Sequence, residues 1–448
     1  MKYRLGFIPL ARRTFDMPFA GEMASAARRL LAADFELLDP LGRDPAWELV
    51  TDLPAAQAVA EWLKSEPLDL LVVFQASFAD STLVTALAEA VEAPLFLWAL
   101  PEARSGGRLR LNSLCGVNLA AHALKLRGRD YEYAYAAPDS PDALKKIRTL
   151  AAAGNVRRRL RGTRLGLVGE HPDGLDTCHL DEPALACLGL AVERLDLAGV
   201  FAAARNQDPA ALADLRSSLE PRLDGLGDVD QPALNGSLGV TLALRQAALE
   251  KGLSGLAVRC WPEFFTELGC AACGAMSLLS DECLPCSCEA DINGTVTQLI
   301  LQLLSGEPAF GSDLVAADES EDCAVLWHCG LAPLSMADPA VRPQAGIHSN
   351  RKLPLVMEFP LKPGPVTLAR LSRAGGTLRL VAGRGQMLSA PPSFAGTSGV
   401  VRFERPVREV LDTIMYEGLE HHVSLTYGEH LDALLALARL LHLPVLHL

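Results

Sequence analysis

The first hundred residues alternate unbroken apolar runs with segments of helical spacing, and this constrains the fold more than any other feature of the chain. KYRLGFIPL (2–10), FELLDP (35–40), LDLLVVFQA (68–76) and APLFLWAL (93–100) are apolar along most of their length rather than at every second residue. A strand half-buried on a core alternates, whereas one apolar throughout is covered on both faces, as in a parallel sheet flanked by helices. The intervening segments, about 21–33, 54–64 and 81–91, read as those helices, so the pattern predicts a doubly wound α/β domain. In such sheets ligands bind beyond the carboxyl ends of the strands. Polar residues stand there: Arg12 and Thr14 after the first strand, Gln75, Ser77 and Asp80 after the third, and Trp98, Glu102 and Arg104 at the fourth. No G-x-G-x-x-G follows the first strand, which argues against a dinucleotide and for a rim that meets some other polar ligand.

The pattern restarts at RRRLRGTRLGLVGEHPDG, with a strand at 163–169. A later strand, LAVRC (256–260), delivers Glu263 to a strand carboxyl end. After about residue 340 the texture changes. LPLVMEFPLKPGPVTLARLSRAGGTLRLVAGRGQMLSA turns every eight to ten residues, as antiparallel strands do. The tail reads as a helix, a loop holding His421 and His422, a second helix and a final strand. At roughly 150 residues per domain, 448 residues suggest about three. The expectation is two doubly wound parallel-sheet domains, 1–160 and 161–340, followed by a C-terminal domain, 341–448, with an antiparallel β-barrel.

Composition narrows the function. A net charge of −13 disfavours nucleic acid, which needs a basic face; the cluster Arg157, Arg158, Arg159 and Arg161 reads as a solvated helix end. No apolar run approaches the ~20 residues that span a bilayer. The N-terminal segment reads as a strand without a signal-peptide pattern, so a cytoplasmic protein is expected, its eleven cysteines reduced.

The chemistry is expected in 259–294, RCWPEFFTELGCAACGAMSLLSDECLPCSCEADING. Cys270-x2-Cys273 and Cys283-x2-Cys286 have the spacing of a zinc ribbon, but CAACGAMSLLS reads as a helix packed through small residues, and the cysteines read as core. The acids are harder to dismiss. Glu263 and Glu267 lie on one side of that helix, Glu289 and Asp291 on the other, just before an apolar helix from Thr295 to Leu304. One of the latter pair can cap the helix. Unpaired carboxylates in so apolar a setting are costly, and a divalent cation removes the cost. His421-His422 supply imidazoles for the same ion, and His328 stands near the end of the strand CAVLWH.

These segments together, FLWALPEARSGGRLRLNSL, CEADINGTVTQL, LWHCG and EGLEHHVSLTYGEHLDALLALARLLHLPV, resemble the L-fucose isomerase and L-arabinose isomerase family, in its fucose-isomerase-like branch. The resemblance implies an oligomer, a trimer or hexamer, with the active site where subunits meet. It implies conversion of an aldose to a ketose with Mn²⁺, or Mg²⁺ or Co²⁺, held by two acids and a histidine. Carried over by position, the ligands are Glu263 (or Glu267), Asp291 and His422 (or His421), with Glu263 and Asp291 also moving protons. Glu289, His328 and His421 would stand beside them, and Arg12, Gln75 and Trp98 would hold the distal hydroxyls. The chemistry agrees: moving a carbonyl from C1 to C2 passes through an enediolate, whose charge a cation stabilises, and oxygen and imidazole donors suit Mn²⁺ or Mg²⁺. A free L-fucose-like or L-arabinose-like sugar is the first substrate expected. A modified sugar such as a sulfonated hexose is the alternative, and a non-catalytic sugar-binding protein on the same fold the third reading.

Overall fold

The computed structural model describes residues 2–448, and the chain divides into two compact units, Met1–Arg158 and Arg159–Leu448. Unit 1 is the doubly wound domain the apolar runs predict. Its strands are β1 (Arg4–Leu10), β2 (Glu36–Leu38), β3 (Leu70–Gln75), β4 (Leu95–Ala99) and β5 (Glu132–Tyr135), all parallel, in the order β2-β1-β3-β4-β5. Every residue of β3 and β4 is buried, as strands covered on both faces require.

Unit 2 holds two sheets. The first is parallel and four-stranded, β7-β6-β8-β9, from β6 (Arg164–Val168), β7 (Ala191–Leu195), β8 (Leu253–Val258) and β9 (Cys286–Ser287). The second is mixed and nine-stranded. It begins with β10 (Phe310–Asp318) and β11 (Cys323–His328), continues through β12 (Gln344–Gly346), β13 (Val356–Pro360), β14 (Gly364–Ser372), β15 (Arg379–Leu388) and β16 (Thr397–Phe403), and ends with β17 (His422–Tyr427) and β18 (Val445–His447). The antiparallel strands expected after residue 340 therefore pair with two that precede it, and β16 is bonded to both β11 and β15. One hydrophobic cluster joins Val168, Leu256 and Val258 of the parallel sheet to Phe310, Leu326, Leu368 and Val401 of the large one.

Not every strand matches the reading of the sequence: β5 and β10 lie in segments given no strand, and β17 in one read otherwise. HVSLTY, taken as part of a loop and helix, is β17, hydrogen-bonded between β10 and β14. Its length of six residues and its β-branched and aromatic content were strand signals, masked by the paired histidines at its start.

Helix starts are written into the sequence by a repeated device. Asp16, Asp52, Asp181, Asp208 and Asp230 each precede a helix with proline in its first two positions, and each accepts a hydrogen bond from a backbone N–H of the first turn. The carboxylate satisfies an orphan donor and the proline needs none. Asp230 caps the long helix Gln231–Lys251 through Ala233 N at 2.8 Å. Asp230→Ala is expected to cost about 1 kcal/mol in chemical denaturation; a neutral effect would show that the cap contributes nothing.

Candidate active site

The acids and histidines converge in unit 2, where the turn before the helix Ile292–Ser305 meets the large sheet. Asp291 is the N-cap of that helix, its Oδ1 accepting from Gly294 N at 2.9 Å. It is also the partner of Arg370 on β14, whose Nη1 reaches Oδ2 and whose Nη2 reaches Oδ1 at 3.1 Å. Both side chains are buried, at 1% and 3% exposure. His422 Nδ1 donates to the remaining site on Oδ2 at 2.9 Å, which fills the roughly four acceptor positions of a carboxylate. Burial pushes the Asp291 carboxyl up, but Arg370 and His422 outweigh it and hold it well below the usual range.

A donated Nδ1–H leaves the lone pair of His422 on Nε2. That nitrogen lies 3.5 Å from Asp313 Oδ1 and 3.9 Å from Glu289 Oε2. Asp313 is placed by register: it pairs directly with His422 across the β10–β17 ladder and with Trp327 across β10–β11, so His328, the next residue of β11, comes in beside it. Asp313, His328 and His422 each offer one atom within 4.8 Å of the others, and Cys178, Glu289, His421 and His422 form a second such group. Asp313 Oδ1 and His328 Nε2 are buried without a hydrogen-bond partner, which native interiors rarely tolerate. Burial opposes a charge on His328, yet Cys329 and Asp313 push its pKa up to about 10. The groups around the ring thus draw positive charge to this point, and Asp313, His328 and His422, with Glu289 3.9 Å from His422 Nε2, are oxygen and imidazole donors of the kind that fit a hard divalent cation, which would replace the His328 proton.

Glu289 is held from three sides. Trp261 Nε1 donates to Oε1 at 3.2 Å, His421 Nε2 lies 3.1 Å from Oε2, and Cys178 Sγ is 4.0 Å away. Its φ of 58° is left-handed, a conformation that costs a non-glycine residue energy and persists where the surroundings impose it. Burial raises the Glu289 carboxyl, but His421 and His422 bring it below its usual range. His421 has both ring nitrogens engaged, Nδ1 with Thr177 Oγ1 at 2.8 Å, so His422 is the histidine with a nitrogen to spare.

The remaining expectations fare unevenly. Glu263 follows β8 as expected, but Arg259 Nε binds its carboxylate at 2.9 Å, holding it ionised, and it belongs to neither donor group; Glu267 is exposed. In unit 1, Trp98 corrects the reading: fully buried, it donates Nε1–H to the Ala136 carbonyl and packs edge-on to Phe74, as a core residue. Gln75 is buried with both amide atoms unpartnered, and Arg12 is half-exposed over Phe78 near Asp80. The four cysteines of zinc-ribbon spacing do not form a donor group among the described residues: Cys283 is exposed and Cys286 Sγ bonds to the Leu284 carbonyl. Two thiol pairs do meet, Cys260 with Cys288 at 2.7 Å and Cys273, one of the four, with Cys329 at 3.2 Å, and Cys273 and Cys329 form a donor group with His348. Asp313 and Arg370 were not singled out from the sequence, although each is a lone charge inside a mostly apolar strand, FGSDLV and PVTLARLS.

Comparison with known proteins decides the family. Residues 6–161 match the fucose/sulfoquinovose isomerase N-terminal domain, and residues 357–448 the L-fucose isomerase C-terminal domain. A sulfoquinovose isomerase of Alkalicoccus urumqiensis is 32% identical over 444 residues, 99% of this chain and 98% of its own. The chain belongs to the fucose/sulfoquinovose isomerase family. A sulfoquinovose isomerase of Clostridium sp. (strain MSTE9) is 34% identical over 381 residues, 84% of this chain and 85% of its own, and one of Priestia aryabhattai is 29% identical over 440 residues, 98% and 97%. The protein is accordingly a sugar isomerase, and no helix among the described residues is long and apolar enough to cross a membrane.

Arg370→Leu leaves Asp291 buried without its counter-charge and is expected to cost about 3–5 kcal/mol in denaturant titration; a loss under 1 kcal/mol would show that the pair is not buried as described. The sign with pH follows from Asp291. Its folded pKa lies below the unfolded value of about 3.9, so its contribution is full above that range and is lost as pH falls. Asp291→Asn should flatten that part of the acid limb, and an unchanged limb would contradict the assignment.

Proposed function

We propose that this protein interconverts a C6-sulfonated aldohexose and its ketose, with Mn²⁺, Mg²⁺ or Co²⁺ held by Asp313, His328 and His422 together with Glu289 of the adjoining donor group. The observation that carries the metal part is the pair of buried, unpartnered atoms, Asp313 Oδ1 and His328 Nε2, beside the free nitrogen of His422. The substrate part rests on the relatives. Those matched along nearly their whole length are sulfoquinovose isomerases, which favours the sulfonated sugar over the L-fucose-like or L-arabinose-like one expected first.

When bound, such a cation supplies Lewis-acid stabilisation of the negative charge that develops on two adjacent sugar oxygens. Asp291 is a positioning residue in this reading: saturated by Arg370, Gly294 N and His422, it fixes the tautomer and orientation of the imidazole. Glu289, braced by Trp261 and His421, presents a carboxylate with little freedom. Glu263 is the carboxylate we assign to carrying the proton between C1 and C2. Its support is its place just beyond β8, its partial exposure and the ionised state that Arg259 enforces. Gln75, with its unsatisfied amide, and Arg12 remain the unit 1 residues proposed for hydroxyl recognition.

Purified protein with Mn²⁺ is expected to convert sulfoquinovose to its ketose with solvent deuterium entering at C1 of the ketose, and to prefer it to L-fucose. Glu263→Gln should lower kcat by about 10² or more with metal content intact, whereas Asp313→Asn and His422→Ala should lose metal. A preference for L-fucose would overturn the substrate, and full metal content in both Asp313→Asn and His422→Ala would overturn the ligand set.

A further inference from the structure

We infer that the basic turn at 348–353 is the subsite for the sulfonate, with the Arg351 guanidinium as its principal donor. The inference rests on the sulfonated-sugar reading above and assigns the charged end of that substrate to a place. The chain carries 54 acidic residues against 41 basic ones, so a cation without an acidic partner beside the site stands out. Arg259 is bound to Glu263, Arg370 to Asp291 and Arg373 to Asp181. Among the described residues no carboxylate lies in ion-pair range of Arg351 or of its neighbour Lys352.

Arg351 is exposed, yet it is not loose. Its guanidinium carbon lies 4.7 Å from the centre of the Trp261 ring and 5.2 Å from that of Phe265. The turn is closed on itself by His348 N to the Leu353 carbonyl at 3.0 Å and Lys352 N to the His348 carbonyl at 2.8 Å. The His348 imidazole packs edge-on to Phe265 with centroids 5.2 Å apart. A stacked guanidinium keeps its N–H edge free, and that planar fork matches the oxygens of a sulfonate as it does those of phosphate. Stacking alone contributes little at an exposed site, so packing gives a weak reason for an arginine here.

Trp261 links this turn to the reacting end. Its face lies under Arg351 while its Nε1–H donates to Glu289 Oε1 at 3.2 Å. The carbonyl end and the C6 end of an open six-carbon sugar differ in position by about the length of one indole. A chain laid along Trp261 therefore places O1 and O2 toward Glu289 and its sulfonate toward Arg351. Lys352 adds a second positive charge on the same turn.

The test compares sulfoquinovose with D-glucose, which differs from it only in bearing a hydroxyl in place of the sulfonate. Arg351→Met keeps an aliphatic stem for Trp261 and removes the charge. Relative to wild type, its kcat/KM for sulfoquinovose should fall about 10- to 100-fold, chiefly through KM. The ratio of kcat/KM between the two sugars should fall by a similar factor, and Arg351→Lys should recover part of it. A merely structural role would lower both sugars equally and leave that ratio unchanged, which would overturn the inference while leaving the substrate reading intact. A wild type with no preference for sulfoquinovose would overturn the substrate reading. In that case calorimetric titration with sulfoquinovose decides the subsite: tighter binding to wild type than to Arg351→Met supports it, and equal binding overturns it.

Discussion

The buried ion pair of Asp291 with Arg370 is the interaction on which the rest of the site depends. Two charges at 1% and 3% exposure lose several kcal/mol each of hydration, which their attraction offsets only when every remaining lone pair is also used. That condition is met here in a particular way. Gly294 N, both guanidinium nitrogens and His422 Nδ1 together saturate the carboxylate. One acid thus caps the helix Ile292–Ser305, neutralises an arginine of β14 and orients the first imidazole of β17. Gly294 is part of the same constraint, because a Cβ there would come within 2.6 Å of Asp291 Oδ2. The pair ties the helix after the parallel sheet to the large mixed sheet, and the position of His422 Nε2 follows.

Much of this was legible in the sequence, for physical reasons. Continuous apolar runs demanded a parallel sheet covered on both faces, and β1 to β4 supply it. CEADING, LWHCG and EGLEHH pointed to residues that do converge: Glu289, Asp291, His328, His421 and His422 lie within one chain of contacts. What the sequence could not show was division of labour. An acid that caps, pairs and orients looks the same in one dimension as an acid with a free oxygen, and Asp291 and Asp313 are told apart only by their partners. Asp313 was invisible for another reason: its role comes from cross-strand register with His422, some hundred residues away, and register is not written locally. Trp98 erred in the opposite direction, since a tryptophan at a strand end serves a ligand or a core equally well until its N–H is traced to Ala136.

The two ends of the site differ in electrostatic character, and the difference suits a substrate that is polar at one end and anionic at the other. Around His422 gather the oxygens of Glu289 and Asp313, faced by the imidazoles of His328, His421 and His422. Across the Trp261 ring, Arg351 and Lys352 carry positive charge without acids to balance it. On the reading proposed above, a cation at one end and a sulfonate at the other would match these two surroundings. On that reading a neutral sugar would leave the basic turn unmatched.

The central claim is that Asp291 aims His422 at a cation without touching that cation itself. Anomalous scattering at the manganese edge, from crystals grown with Mn²⁺, tests this directly. The account predicts one strong peak at ligand distance, about 2.0–2.3 Å, from Nε2 of His328 and His422 and from carboxylate oxygens of Asp313 and Glu289, with Asp291 outside the coordination shell and still bonded to Arg370. A peak coordinated by Asp291 or Glu263, with the Arg370 pair broken, would contradict it.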